Sequence, residues 1–235
     1  MNNLLPKQQF YLDSQFSNAA SHFKIGDLST AETECRKILQ KDSGNSPALA
    51  LLGMVAYKTG HNQQAISLIK SAIKLEPHEA KYYFELGLIF HSLKQTNAEI
   101  TSYRKALDIK NDYLPALVNL ANLLITYGSA DEVENLCKLA IDVDRHQPQI
   151  YNNLGQLYLQ HGDLYGSMSN FKKALKLQPS CSETTNNLGV VFQLMGDIDQ
   201  AIQFFSKALK LDSDFLIISF FIPILLAAIL AAIEL

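Results

Sequence analysis

The apolar positions of this chain return on a period of 34 residues. Leu52-Gly53, Leu86-Gly87, Leu120-Ala121, Leu154-Gly155 and Leu188-Gly189 follow one another at that spacing with no insertion or deletion. A second series runs through Ile38, Ala72, Ala106, Ala140, Ala174 and Ala208, and a third through Gly26, Gly60, Lys94, Gly128, Gly162 and Gly196. A fixed period of this length is the signature of a stacked repeat array, in which each unit buries its apolar face only against its neighbours. Counting from Leu12 gives six units, 12–45, 46–79, 80–113, 114–147, 148–181 and 182–215, after an N-terminal extension at 1–11.

Each unit predicts an antiparallel pair of helices. The small residue after the recurrent leucine lets the two helices approach closely, because a side chain there would hold the backbones apart. The later glycine falls where a helix must stop, and glycine takes the left-handed conformation at little cost. Asp27, Asp163 and Asp197 come next in the chain and are suited to cap the following helix. Pro77 and Pro179 end second helices, while Pro47, Pro115 and Pro148 stand in the first turn of the next unit. The predicted fold class is all-α.

These units resemble tetratricopeptide repeats. The fifth and sixth carry the likeness most fully: Asn153-Leu154-Gly155-Gln156-Leu157-Tyr158 with Gly162, then Phe171-Lys172-Lys173-Ala174-Leu175-Lys176-Leu177-Gln178-Pro179, and Asn187-Leu188-Gly189 with Phe192, Gly196, Ala201, Phe205 and Ala208. Departures fall in the earlier units: Lys94 and Asn111 in the third, Ala121 and Arg145 in the fourth, and no tryptophan anywhere. The resemblance implies a right-handed superhelical solenoid of six helix-turn-helix units whose first helices line a concave groove for an extended peptide or a partner helix.

Helical periodicity puts positions near 2, 5, 6, 9 and 12 of each first helix on one face. In the first three units that set includes Phe16, Phe23, Leu51, Met54, Tyr57, Phe84 and Leu88; in the last three it is Asn119, Asn122, Asn152, Asn153, Gln156, Asn186, Asn187 and Gln193. The early face is apolar and aromatic, the late face lined with amides. Asn119, Asn153 and Asn187 stand one repeat apart at the sixth position. An amide offers both a donor and an acceptor, so such a ladder suits the backbone of an extended peptide. Similar ladders occur in the repeat domains of O-linked N-acetylglucosamine transferases. The competing reading is that these amides tie neighbouring helices together. A carboxylate clamp of the kind seen in cochaperones with similar repeats is disfavoured, since Lys24, Lys58 and Lys81 do not cluster near the ladder.

Composition narrows the chemistry further. A formal net charge of -3 and a pI near 6.1 supply no general attraction to nucleic acid. Nine of the eleven glycines belong to the repeat series, leaving only Gly44 and Gly166, so no phosphate-cradling cluster remains. Cys35, Cys137 and Cys181 are far apart and lack metal-site spacing. Cys35 and Cys137 share a position with Tyr103, Phe171 and Phe205 and read as small core residues. The six histidines show no ligand spacing, and Glu32-x-Glu34 and Glu132-x-Glu134 pair with no base. No cofactor, metal or catalytic group is expected.

Past Asp214 the register breaks. Residues 215–233 contain no charged side chain, and as a helix would span about 28 Å, close to the hydrocarbon thickness of a bilayer. A transmembrane tail anchor in the C-terminal segment 216–235 is one expectation, with the repeats on the cytoplasmic side; a terminal capping helix and a truncated or altered end of a longer array are the others. The functional expectation is a non-enzymatic scaffold or adaptor binding a protein or peptide in its groove. The alternative is the substrate-recognition portion of a glycosyltransferase-like enzyme.

Overall fold

The structure is a computed structural model that describes residues 6–212. Over these residues the chain forms twelve α-helices in succession: α1 (Pro6–Lys24), α2 (Leu28–Lys41), α3 (Ser46–Lys58), α4 (Asn62–Leu75), α5 (Ala80–Ser92), α6 (Thr96–Ile109), α7 (Leu114–Tyr127), α8 (Ala130–Val143), α9 (Pro148–Gln160), α10 (Leu164–Leu177), α11 (Ser182–Leu194) and α12 (Ile198–Leu211). The even-numbered helices all begin 34 residues apart and end 34 residues apart, from Leu28 to Ile198 and from Lys41 to Leu211. The fold is an all-α helical repeat array.

The helix boundaries follow the local chemistry. Asp27, Asp163 and Asp197 accept from the backbone N–H of Thr30, Gly166 and Gln200 at 3.1, 2.9 and 3.1 Å, satisfying donors that the first turn leaves open. Gly26, Gly60, Gly162 and Gly196 turn the chain with φ between +76° and +83°. Lys94 takes the same left-handed turn at φ +55° despite its side chain. Gly128 departs from the expected pattern: it lacks a left-handed φ, and α7 instead runs on to Tyr127, with Gly128 N–H donating to Leu124 O at 2.8 Å.

Two compact bodies make up the chain, the first ending at Ala116 and the second beginning at Leu117. In the first, α3 packs on α2, α4 and α5, and α5 packs on α6. Ile69, Ile89, Tyr82 and Leu86 form its central cluster, with Phe23, Tyr57, Leu88 and Phe90 packed around them. In the second, α9 packs on α8 and α10, and α11 on α10 and α12; Phe171, Leu188 and Val191 anchor a core there.

Within each unit the two helices meet at one matched pair of positions. A Cβ on Gly155 would lie 2.5 Å from Phe171 Cε1, and one on Gly189 2.7 Å from Phe205 Cδ1; Gly87 faces Tyr103 in the same way. Where the first-helix residue is alanine, the facing position is a cysteine: Ala19 with Cys35 and Ala121 with Cys137, all buried. The pair is complementary in size: glycine stands opposite a ring, or opposite Ile69 in the second unit, and the larger alanine stands opposite a smaller thiol. Burial, reinforced by Glu34 and Glu32 near Cys35 and by Glu134 near Cys137, pushes both thiols up to about 12. They are inert core atoms, in keeping with the sequence reading.

Among the described residues no helix is long and apolar enough to cross a membrane. The segment 215–233, on which the anchor expectation rests, lies outside the described residues.

Candidate functional site

The apolar candidates belong to the first body. Tyr57 on α3 and Leu88 on α5 are half-buried and pack against the same central cluster. Phe84 on α5 is half-buried too, its ring 5.7 Å from that of Tyr103 and edge-on to Tyr113 at 5.6 Å. These rings brace one another, so only part of each side chain is left to meet a ligand.

The seven amide candidates belong to the second body, and they are unequal. Asn153 on α9 is 3% exposed, and its Nδ2 donates to Val118 O on α7 at 3.1 Å. Asn152 is also buried; its Nδ2 donates to Glu183 Oε1 at 3.2 Å, while its Oδ1 accepts from Thr184 Oγ1 at 3.1 Å and from Asn187 Nδ2 at 3.4 Å. Gln156 Nε2 donates to the same Glu183 oxygen at 3.0 Å. Asn152, Gln156 and Asn187 are therefore drawn together by α11. Asn122 on α7 is exposed, and Asn119 and Asn186 are half-buried.

Two acids that sequence reading passed over shape these faces. Glu183 stands at the second position of its unit and gathers two amides through one oxygen, leaving its outer edge in solvent. Glu85 occupies in α5 the position that Asn153 occupies in α9. It is 7% exposed, its Oε2 is buried without a hydrogen-bond partner, and Lys81 Nζ lies 3.7 Å from Oε1. Burial pushes its carboxyl up to about 7 against the pull of Lys81. Aligning the units by register would have exposed Glu85, because the ladder position reads Ser17, Leu51, Glu85, Asn119, Asn153, Asn187.

The face offers hydrogen-bonding and apolar contact. Among the described residues no three His, Cys, Asp or Glu side chains converge on a site that could hold a metal ion.

Three family models described as tetratricopeptide repeat match residues 51–113, 148–181 and 182–215, together more than half of the chain. Tetratricopeptide repeat protein 17 of Mus musculus is 33% identical over 100 residues, 41% of this chain and 8% of that protein. The probable UDP-N-acetylglucosamine–peptide N-acetylglucosaminyltransferase SPINDLY of Hordeum vulgare is 25% identical over 150 residues, 60% of this chain and 16% of that one. The chain thus spans a small fraction of these relatives. Among solved structures, Pseudomonas aeruginosa pilF superposes with a TM-score of 0.78 at 13% identity, covering 88% of this chain and 94% of that one. YrrB, described as a TPR protein with an unusual peptide-binding site, gives 0.61 at 14% identity over 77% and 93%. At such identities these likenesses establish the fold.

Proposed function

The chain belongs to the tetratricopeptide-repeat family, and from that premise we propose that it is a non-enzymatic scaffold whose first helices hold an extended peptide or partner helix. The observation that carries this reading is the amide and carboxylate network on α9 and α11. Glu183, Gln156 and Asn152 are already oriented by one another at 3.0 and 3.2 Å. Donors and acceptors held in place bind a ligand backbone at low entropic cost. Asn122, Asn186, Gln156 and the outer edge of Glu183 are the groups a peptide would meet, and Asn153 serves to hold α9 to α7. In the first body Tyr57, Phe84 and Leu88 would contribute apolar contact. The peptide-binding site of YrrB, on the same fold, supports the choice of ligand.

The test is a peptide library screened against the full chain, followed by Asn122→Ala with Asn186→Ala. Loss of capture by about tenfold or more, with helical content intact, is expected if the face binds peptide. Capture unchanged in that variant would overturn the assignment. A second reading is favoured by the similarity to SPINDLY across 60% of this chain: a substrate-recognition segment of a glycosyltransferase-like protein. A catalytic-domain reading frame adjoining the gene would establish it over the stand-alone scaffold.

A further inference from the structure

Between α2, α3 and α4 the first body carries a cavity of about 300 Å³, whose lining includes Glu32, Arg36, Leu52, Val55, Ala56 and Thr59. Leu52, Val55 and Ala56 of α3 and its C-cap Thr59 occupy positions 7, 10, 11 and 14 of their unit, apart from the peptide face at positions 2, 5, 6, 9 and 12. The cavity has a cause in the register. At the position of Ala56 the four later units carry Phe90, Leu124, Tyr158 and Phe192. In those units the side chain fills its own space: Leu124 is 2% exposed, Phe90 packs on the first-body core, and Phe192 stacks on Phe204 at 5.3 Å. Alanine leaves that space empty.

The later units also show what chemistry the rim is built for. Glu134 and Lys138 on α8 stand in the register of Glu32 and Arg36 on α2, and both pairs are ion-paired, at 3.6 and 2.7 Å. At α8 the chain supplies a phenol to this pair itself, since Tyr158 from the following helix donates its hydroxyl to Glu134 Oε1 at 3.2 Å. One unit further on, Lys172, in the register of Arg36, lies 5.7 Å over the ring of Phe192. At α2 the same acid and cation remain and the aromatic side chain is missing. Both Arg36 hydrogen bonds fall on Glu32 Oε1, so Oε2 is the oxygen an incoming hydroxyl would reach.

We infer that the Ala56 cavity is a socket for a tyrosine side chain supplied by a partner protein, which takes the place that Tyr158 fills from within the chain. Its ring would lie on Leu52, Val55 and Ala56, its hydroxyl would donate to Glu32, and the Arg36 guanidinium would stand over the ring face, as Lys172 does over Phe192. This site is distinct from the first-helix face and does not depend on what that face binds.

The test uses N-acetyltyrosinamide as the probe, titrated into the full chain with labelled Leu, Val and Ala methyls. Saturable shifts at Leu52, Val55 and Ala56 in the millimolar range are expected. Glu32→Gln should weaken the probe by about five- to tenfold, and N-acetylleucinamide should bind less well than the tyrosine probe. Ala56→Phe should abolish the shifts by plugging the socket, and Ala56→Tyr should raise the melting temperature by restoring the contact that Tyr158 makes with Glu134. The absence of saturable shifts at these three methyls would overturn the inference, as would shifts that persist in a folded Ala56→Phe protein. If Ala56→Phe does not fold, equal affinity of wild type and Glu32→Gln is the overturning result.

Discussion

Asn153 on α9 and Val118 on α7 are joined across two successive first helices by a single side-chain hydrogen bond, Nδ2 to the backbone carbonyl, at 3.1 Å. Asn153 is 3% exposed, so water cannot replace the bond when it is cut. Asn153→Ala is expected to lower stability by about 1–2 kcal/mol in urea denaturation, whereas Asn122→Ala, at an exposed position, should change it by less than about 0.5 kcal/mol. Equal effects of the two substitutions would show that the ladder position has no special structural duty.

Glu85 holds the same register as Asn153, yet it is an acid that cannot donate when ionised. Its carboxyl is raised to about 7 from 4.5 by burial and by Glu79, with Lys81 opposing and Tyr113 also close enough to feel its charge. An acid with a raised folded-state pKa favours the folded chain fully below pH 4.5 and loses that contribution as pH rises through 7. Glu85→Gln should therefore flatten the stability profile between these limits and add on the order of 3 kcal/mol at pH 8. A profile with the same slope in the variant would refute this.

The glycine–ring pairing predicts a compensating double substitution. Gly155→Ala alone should cost about 1–3 kcal/mol through the clash with Phe171. Phe171→Cys alone should also destabilise, by leaving a cavity. Together they rebuild the alanine–cysteine pair found at Ala121 and Cys137, so the double mutant should be more stable than the sum of the two. A double-mutant cycle measures this directly, and strict additivity would dismiss the volume pairing.

Lys94 is the one non-glycine residue with positive φ among the described residues, at +55°. Lys94→Gly should relieve a left-handed strain of roughly 1–2 kcal/mol, less the entropy glycine loses on folding, for a net gain of about 0.5–1 kcal/mol in thermal melts. Destabilisation would mean the lysine side chain contributes more than its backbone costs.

Much of this protein was legible in the chain itself. The helix pairs, the aspartate caps and the burial of Cys35 and Cys137 follow from local rules and from a repeat that never slips. Gly128 was misjudged because glycine permits a left-handed turn without requiring one. The binding face was legible only as a set of positions: periodicity reports which residues share a side of a helix, and it is silent about how deep they lie or what they touch.

That limit marks the division between sequence and tertiary structure here. The 34-residue period and the residue types at each register position determined the fold class, the helix ends and the matched pairs inside each unit, because these depend on neighbours along the chain or within one hairpin. The packing of each helix on its neighbours in the array decided the rest. It turned Asn153 inward to Val118, left one oxygen of Glu85 without a partner, gathered Asn152 and Gln156 on Glu183, and left a cavity beside Ala56. The hydrogen bonds of Asn153, Asn152 and Gln156 join residues about thirty positions apart, and all four features are set by side-chain volume and hydrogen bonding across interfaces that no local pattern describes.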